Sequence, residues 1–287
     1  MINVKDIAIT TDSTCDLPQR FIDENDITVV PLTVLLGDMV YRDGVDIKPD
    51  DVYSFVEKTG KLPKTSAVTP AEYFEVFKQL TDEGKKVVHI GFSSGLSSSF
   101  QNACVAASEF DNVFCVDSKT LCTAQGLLVL KACDYREKGM DAKKIADRVT
   151  KLVPKVSATF VLDGLEYLHK GGRCSSVARF GANVLGIKPS IAVDNQTGKL
   201  EVSKKYRGKT EIVYKQYIAD RMNEIKRIQP DRVVIAESGG VSSQIIAFAK
   251  GVIEGKDKFN QVIVADAGCT ISSHCGPKTF AIFYIKK

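Results

Sequence analysis

Residues 86–118 read KVVHIGFSSGLSSSFQNACVAASEFDNVFCVDS, and this stretch contains the pattern that decides the fold. The apolar run at 86–92 predicts a buried strand, and the serine-rich loop 93–99 leads into a helix that ends near Phe110. The apolar run at 113–116 predicts the next strand. Because two strands joined through a helix pair in parallel by a right-handed crossover, the stretch predicts an α/β unit with a parallel sheet.

The same alternation continues on both sides of this unit. Residues 4–10 predict an earlier strand, and Thr69-Pro70-Ala71-Glu72 combines a capping box with a proline at the first helical position, which predicts a helix start. Further helices are expected over about 120–138 and 141–152. We therefore expect residues 1–155 to form a parallel α/β domain with helices flanking its sheet.

The second half of the chain has a different pattern. Residues 187–193 and 200–206 predict a hairpin around a turn, whereas the later strands and helices alternate. A helical piece is expected near 176–185. This mixture of hairpin and crossover predicts an α+β domain over residues 156–287. For the whole chain we therefore predict a two-domain α/β fold.

Composition excludes several classes of protein. The 287 residues are 44% hydrophobic and 26% charged, which is ordinary globular usage and enough chain for about two domains. Neither a membrane-spanning run nor a secretory signal is recognisable, so we expect a cytoplasmic protein. The eight cysteines form no CxxC pair and no Cys/His cluster with zinc spacing, which favours reduced, buried thiols and no metal site.

The charge is distributed unevenly along the chain. The formal net charge is +4, although residues 1–60 hold twelve acids and five bases. Because the excess positive charge of the remainder is spread rather than concentrated, binding to nucleic acid is disfavoured. The charge distribution is still compatible with binding to an anionic surface of a partner or with transient contact with a membrane surface.

Hydroxyl-rich loops follow the predicted strands. In an open α/β sheet, ligands bind beyond the carboxyl ends of the strands, and hydroxyl and N–H groups there suit an anion. Each serine or threonine could instead merely cap a helix, but several loops that converge favour an anion site. The loops in question contain Asp12-Ser13-Thr14, Thr65-Ser66, Ser93-Ser94 and Asp117-Ser118.

One alternative reading is a serine hydrolase. Gly91-Phe92-Ser93-Ser94-Gly95 fits the nucleophile-elbow motif between a strand and a helix, and Ser93 could act with His274. The third member would be Asp163, Asp194 or Asp266. The sequence lacks an HGGG-type oxyanion segment, and five serines in loop 93–99 make a chance match easy.

Among the remaining candidates, His274 and Arg173 stand out. His89 lies in an apolar strand and His169 beside a lysine, so we expect a structural and a surface role for them. His274 is expected in a loop between two strands, next to glycine and proline. Arg173 follows a double glycine, in a segment that lacks the Walker GK[ST].

The ordered set of these motifs resembles the DegV family over essentially the whole chain. Small departures are Ser98-Ser99, Cys174 and Lys278, where the family often has Gly-Thr, isoleucine and a smaller residue. The segments that carry the resemblance are Asp12-Ser13-Thr14-Cys15-Asp16-Leu17-Pro18, Lys64-Thr65-Ser66, residues 91–97, Asp117-Ser118, residues 168–173, Ile187-Lys188-Pro189 and His274-Cys275-Gly276-Pro277.

The resemblance implies a non-catalytic, fatty-acid-binding subunit of a bacterial fatty acid kinase. One long-chain fatty acid, such as palmitate, stearate or oleate, would lie between the two domains as ligand, with no cofactor. Thr65, Ser94 and His274 would hold its carboxylate, with Ser66 and Ser93 as substitutes, and Arg173 would face the partner. A separate ATP-dependent kinase subunit would phosphorylate the carboxylate to an acyl phosphate for phospholipid synthesis.

Overall fold

The computed structural model describes residues 6–174 and 187–287. The expected helical piece at 176–185 lies outside these residues. The strands in chain order are β1 (Ile7–Asp12), β2 (Ile27–Val30), β3 (Thr33–Leu36), β4 (Met39–Arg42), β5 (Lys64–Ser66), β6 (Lys86–Gly91), β7 (Val113–Asp117), β8 (Val156–Val161), β9 (Ile187–Val193), β10 (Leu200–Arg207), β11 (Ile228–Glu237), β12 (Gln261–Asp266) and β13 (Phe280–Lys286).

The described helices separate most of these strands. In chain order they are α1 (Gln19–Glu24), α2 (Pro49–Thr59), α3 (Pro70–Asp82), α4 (Ser99–Ala107), α5 (Cys122–Glu137), α6 (Ala142–Leu152), α7 (Glu166–Lys170), α8 (Thr210–Asn223), α9 (Ser243–Glu254) and α10 (Cys269–Cys275). None of them is long and apolar enough to cross a membrane.

Two main sheets confirm the predicted fold class. The first sheet is parallel throughout, in the order β2-β1-β6-β7. The second has the order β10-β9-β8-β13-β11-β12, and it is antiparallel except for the pair β11 and β12. The division at residues 155 and 156 remains our proposal, and it falls where α6 has ended and β8 begins the mixed sheet.

Helix α5 lies between the two sheets. It contacts β1 and β6 on one side and β8, β11 and β13 on the other. Twelve of its residues are buried, including Leu127 and Leu130, so nearly all sides of the helix are covered, as expected of a helix packed between two layers. One continuous hydrophobic core therefore extends from the parallel sheet into the mixed sheet.

A small antiparallel sheet has the order β4-β3-β5, and the sequence predicts only its tight turn at Gly37-Asp38, which joins β3 to β4. The apolar run 28–36 predicts a single strand, and this prediction is wrong, because the run breaks at Pro31 and Leu32 into β2 and β3. Strand β5 has only three residues, too few for a periodic pattern to reveal. It pairs with β3, and this pairing carries Thr65 to the place where the site forms.

The predicted loop around His274 is wrong, because this histidine lies on α10. The first turn of α10 is capped from a distant part of the chain. The Asp43 carboxylate accepts hydrogen bonds from the backbone N–H groups of Cys269 (2.8 Å) and Thr270 (3.2 Å). Since the cap is 226 residues away from the helix it serves, no local sequence signal announces this helix.

All eight cysteines are free thiols. Six of them are buried, as expected of small hydrophobic side chains. The expectation is wrong for Cys104, which is exposed on α4, and Cys115 is only partly buried.

Candidate functional site

A cavity of about 240 Å³ lies between the two halves of the chain, beyond the carboxyl end of β6 and at the N-terminal end of α5. Its polar lining comes from β5, from the loop before α4, from the segment after α7 and from α10. The rest of its wall is largely apolar. The lining residues are Leu32, Thr65, Ser66, Ala67, Phe92, Leu96, Ser97, Ser98, Leu121, Leu168, Arg173, Leu200, Thr270, Ile271, His274 and Cys275.

Thr65 and His274 are joined at the polar end of this cavity. The Thr65 hydroxyl oxygen lies 2.8 Å from His274 Nε2, although the two residues are 209 positions apart. Strand β5 delivers the threonine and α10 delivers the histidine. The structure therefore brings together two residues that the resemblance assigned to carboxylate binding.

The His274 imidazole is neutral near pH 7. Burial and, as a smaller contribution, the positive charge of Arg173 together lower its pKa from 6.5 to about 4. Its Nδ1 atom has no hydrogen-bond partner among the described residues. That atom faces Gly171, where an added Cβ would lie 2.5 Å from it. His274 is thus held in one orientation with Nε2 toward Thr65.

Arg173 and Ser66 stand at the edge of the cavity. Both side chains are exposed, and both residues line the cavity. The Arg173 guanidinium donates a 2.7 Å hydrogen bond to the Gly171 carbonyl oxygen. Because it lies near His274 and is open to solvent, Arg173 places a positive charge at the polar end of the site without being buried in it.

Ser93 and Ser94 are placed outside the described lining of the cavity. The fully buried Ser93 hydroxyl donates to the Gly198 carbonyl oxygen at 2.8 Å. The Ser94 hydroxyl accepts a 2.8 Å hydrogen bond from Lys119. Ser97 and Ser98, which the sequence reasoning did not select as ligands, line the cavity instead.

The loop after β1 makes hydrogen bonds to buried groups around the parallel sheet rather than to the cavity. The buried Asp12 carboxylate accepts hydrogen bonds from the Tyr73 hydroxyl and from the Phe92 N–H (2.5 Å). His89 packs against the same carboxylate at 3.6 Å, and burial lowers the pKa of its imidazole, which supports the expected structural role. The Thr14 hydroxyl donates to Gln125 at 3.1 Å.

This geometry does not favour the serine hydrolase. A catalytic serine needs its hydroxyl bonded to a base and an open approach for substrate. The buried Ser93 hydroxyl instead donates a hydrogen bond to the Gly198 carbonyl oxygen, and His274 is hydrogen-bonded to Thr65. A triad also needs a carboxylate that accepts a hydrogen bond from the second ring nitrogen of the histidine. Within residues 6–174 and 187–287, His274 Nδ1 has no such partner.

No metal centre is formed by the described part of the chain. Within it, no group of three or more His, Cys, Asp or Glu side chains could hold a metal ion. As far as the described residues show, the site combines neutral hydrogen-bonding groups, the Arg173 cation at the edge and an apolar wall, and this combination suits an amphipathic anion.

Known proteins share this architecture. A family model described as "Uncharacterised protein, DegV family" matches residues 6–287. A DegV domain-containing protein of Clostridium acetobutylicum is 31% identical over 283 residues, which cover 98% of this chain and 99% of the relative.

Solved structures extend the likeness to three dimensions. A DegV family protein from Thermus thermophilus, described by its fatty acid binding, has 27% identity and a TM-score of 0.88 over 98% of this chain and 100% of its own. A stearic acid-binding protein from Eubacterium ventriosum has 26% identity and a TM-score of 0.81 over 98% of each chain.

Proposed function

Because the chain belongs to the DegV family, we propose that it binds one long-chain fatty acid, such as palmitate, stearate or oleate, in the cavity between its two sheets. The observation that carries the proposal is the Thr65–His274 pair at the polar end of an otherwise largely apolar cavity. Fatty acid binding by the two similar structures supports the same ligand class.

The energetics favour such a ligand. Burial of a methylene contributes about 0.8 kcal/mol, so a sixteen-carbon chain with about 14 methylenes gains up to ~11 kcal/mol. The carboxylate loses water in the same step, which costs several kcal/mol unless hydrogen bonds replace that water. The cavity supplies replacements from hydroxyl groups.

In the proposal, His274 orients Thr65 rather than carrying charge. A neutral imidazole has one N–H, and with this proton on Nε2 it donates to the Thr65 oxygen. The Thr65 hydroxyl then keeps its own hydrogen for the fatty acid carboxylate. Among the described residues, Ser66, Ser97, Ser98 and Thr270 bring further hydroxyl groups to the same cavity. Ser93 and Ser94 would reach the ligand only if their present hydrogen bonds were exchanged.

The proposed role is that of a carrier rather than an enzyme. A separate, ATP-dependent kinase subunit would act on the presented carboxylate in the cytoplasm. A carboxylate oxygen would attack the γ-phosphorus of ATP, the bond to the ADP oxygen would break, and acyl phosphate and ADP would form. The exposed Arg173 would face that subunit, and a transient membrane contact would serve loading of the lipid.

Native mass spectrometry of the purified protein tests the binding proposal. We expect one fatty acid per chain, released on denaturation and identified after organic extraction. Thr65→Ala should retain much less fatty acid, Thr65→Ser should restore retention, and the exposed control Thr59→Ala should behave as the unaltered protein. An empty protein that takes up no added fatty acid would contradict the proposal.

Arg173→Ala separates the carrier role from simple binding. We expect the variant to keep its fatty acid while phosphorylation by an added fatty acid kinase subunit and ATP declines strongly. Loss of fatty acid from this variant would instead place Arg173 among the ligand-binding groups. Lys170→Ala is the control, because Lys170 is exposed nearby and pairs with Glu166.

A further inference from the structure

Two cysteines outside the fatty acid site meet between helix α4 and the edge of the parallel sheet. Cys104 lies near the end of α4 and is exposed, whereas Cys115 lies on β7 and is partly buried. Their two thiols are in hydrogen-bonding contact. The other six cysteines of the chain are buried. This pair therefore combines an accessible sulfur with a second sulfur directly beside it.

The register of the sheet explains why these two side chains meet. Strand β7 lies at an edge of the sheet, and its Cys115 is the partner of His89 on β6, so both side chains project from the same face. Gly91 belongs to that face too, and a Cβ added there would lie 2.9 Å from the Phe100 ring of α4. Cys104 follows Phe100 by four positions and lies one turn further along the same side of the helix. The side of α4 that packs on the sheet thus carries Cys104 to the edge strand.

The two thiols differ in proton affinity. The hydrogen bond from Cys115 lowers the pKa of the Cys104 thiol, although burial and the negative charge of Asp117 act in the opposite direction. The same hydrogen bond, together with burial, raises the pKa of Cys115. When the pair loses a proton, the exposed sulfur therefore becomes the thiolate and the inner sulfur stays protonated. Because the thiolate is the nucleophilic form, Cys104 is the reactive member of the pair.

We propose that Cys104 and Cys115 form a site that reacts with a hydroperoxide and closes to a reversible disulfide. The Cys104 thiolate attacks one peroxide oxygen, the O–O bond breaks, and Cys104 becomes a sulfenic acid. The second oxygen leaves as hydroxide or alkoxide and takes up a proton. The Cys115 sulfur then attacks the Cys104 sulfur, so that the S–S bond forms, the S–O bond breaks, and the hydroxide leaves with the Cys115 proton as water.

The electrons balance within this pair of steps. Two thiols give up two electrons and become one disulfide, and hydrogen peroxide is reduced to two molecules of water. A small-molecule thiol restores the starting state by exchange with the disulfide. Disulfides that form in a reducing compartment are typically transient and respond to oxidants, which agrees with the free thiols of this structure.

The inference does not depend on the proposed function. Neither cysteine is among the described residues that line the fatty acid cavity. Oxidation of the pair and retention of fatty acid can therefore be measured on the same protein as separate properties. A failure of one leaves the other standing.

Peptide mapping of the folded protein after treatment with hydrogen peroxide at pH 7 tests the site. We expect the chain to lose two hydrogen atoms, the peptides that contain Cys104 and Cys115 to be joined by a disulfide, and dithiothreitol to reverse the change. The six buried cysteines are internal references and should stay reduced. Oxidation of Cys104 and Cys115 no faster than these references, or a disulfide that joins two chains through Cys104, overturns the inference. This measurement uses the unaltered protein, so it does not depend on a variant that folds.

Two single variants assign the roles within the pair. In Cys115→Ser the sulfenic acid at Cys104 should accumulate and be trapped by dimedone, whereas Cys104→Ser should give neither the dimedone adduct nor the disulfide. A dimedone adduct at Cys115 in Cys104→Ser would contradict this assignment. Cys133→Ala is the matched control, because burial raises the pKa of this thiol on α5 to about 12. It should form the disulfide between Cys104 and Cys115 as the unaltered protein does.

Discussion

His274 differs from an ordinary surface histidine in its proton affinity. Burial and then the Arg173 charge lower its pKa to about 4, whereas an unfolded chain has a histidine pKa of about 6.5. Between these values the unfolded state binds a proton that the folded state does not. The free energy of unfolding therefore falls as the pH drops from about 6.5 to 4, by up to about 1.4 kcal/mol per pH unit.

We expect this loss to disappear in His274→Gln, whose amide can still hydrogen-bond to Thr65. Urea denaturation at pH 7, 6, 5 and 4 would give the free energy of unfolding of each protein, and its slope against pH should be smaller for the variant. The remaining titrating groups, including the buried His89 and Asp16, are common to both proteins and cancel in the difference. Parallel pH profiles would show that His274 titrates in the folded protein as it does in the unfolded chain.

At the same scale, the sequence predicts the kinds of groups at the site better than their positions. Thr65, Ser66 and His274 line the cavity, and their roles as carboxylate ligands stay a prediction. In the loop 93–99, five serines occupy seven positions, so composition cannot tell which hydroxyls face inward. Tertiary contacts decide this: the Ser93 hydroxyl is buried against the Gly198 carbonyl oxygen, whereas Ser97 and Ser98 line the cavity.

At the scale of elements, local signals were sufficient where a helix carries its own cap. Thr69 and Glu72 form the predicted capping box, and α3 begins at Pro70 as expected. Helix α10 was missed because Asp43 caps it from the opposite half of the chain. The buried Asp43 carboxylate also accepts a 2.9 Å hydrogen bond from Ser13, so one side chain ties three segments together.

Asp43→Ala should therefore disturb the site from a distance. Removing the carboxylate leaves two N–H groups of α10 and the Ser13 hydroxyl without their acceptor, and we expect the free energy of unfolding to fall by about 2–3 kcal/mol. Fatty acid affinity should fall too, because α10 carries His274. Asp46→Ala, an exposed change in the same loop, should cost less than about 1 kcal/mol in chemical denaturation and leave affinity unaltered. Equal effects of the two variants would contradict the capping role.

A close approach between two loops joins the parallel sheet to the hairpin β9–β10. A Cβ added at Gly95 would lie 2.5 Å from the Thr197 carbonyl oxygen, so only glycine fits without displacement. We expect Gly95→Ala to lower the free energy of unfolding by about 1–3 kcal/mol. Gly164→Ala is the control, since no atom lies within 4 Å of its added Cβ. If thermal denaturation gave the same decrease in stability for both variants, the close approach of Gly95 to Thr197 would not contribute to the fold.

At the scale of the whole molecule, alternation of strands and helices was enough to predict the parallel sheet and the class of the fold. The gap between the sheets was not predictable, because it depends on how α5 packs against both of them. Polar contacts also join the two halves: Arg232 of β11 makes a two-pronged ion pair with Asp134 of α5, at 2.6 and 2.8 Å. A cavity between such surfaces is a property of three-dimensional packing and leaves no periodic trace in the sequence.

The continuous core makes a prediction about unfolding of the entire chain. Because α5 contacts both sheets and the cavity lies between them, the two halves should unfold in one transition, and a fatty acid should stabilise that transition as a whole. A ligand that binds only the folded state, at a free concentration of 100 times its Kd, adds about 2.7 kcal/mol. For a chain of this length that corresponds to an increase in Tm of about 4–5 °C.

Calorimetry of delipidated and reloaded protein would measure this shift. A single peak that moves upward on loading agrees with a ligand held by both sheets, whereas two peaks of which only one moves would assign the fatty acid to one half. The Thr65→Ala variant should show a smaller shift at equal ligand concentration, because its carboxylate contact is weaker while its apolar wall is intact. A carrier requires that both halves of the chain hold the same ligand, because the acyl chain then stays enclosed until the two halves move apart.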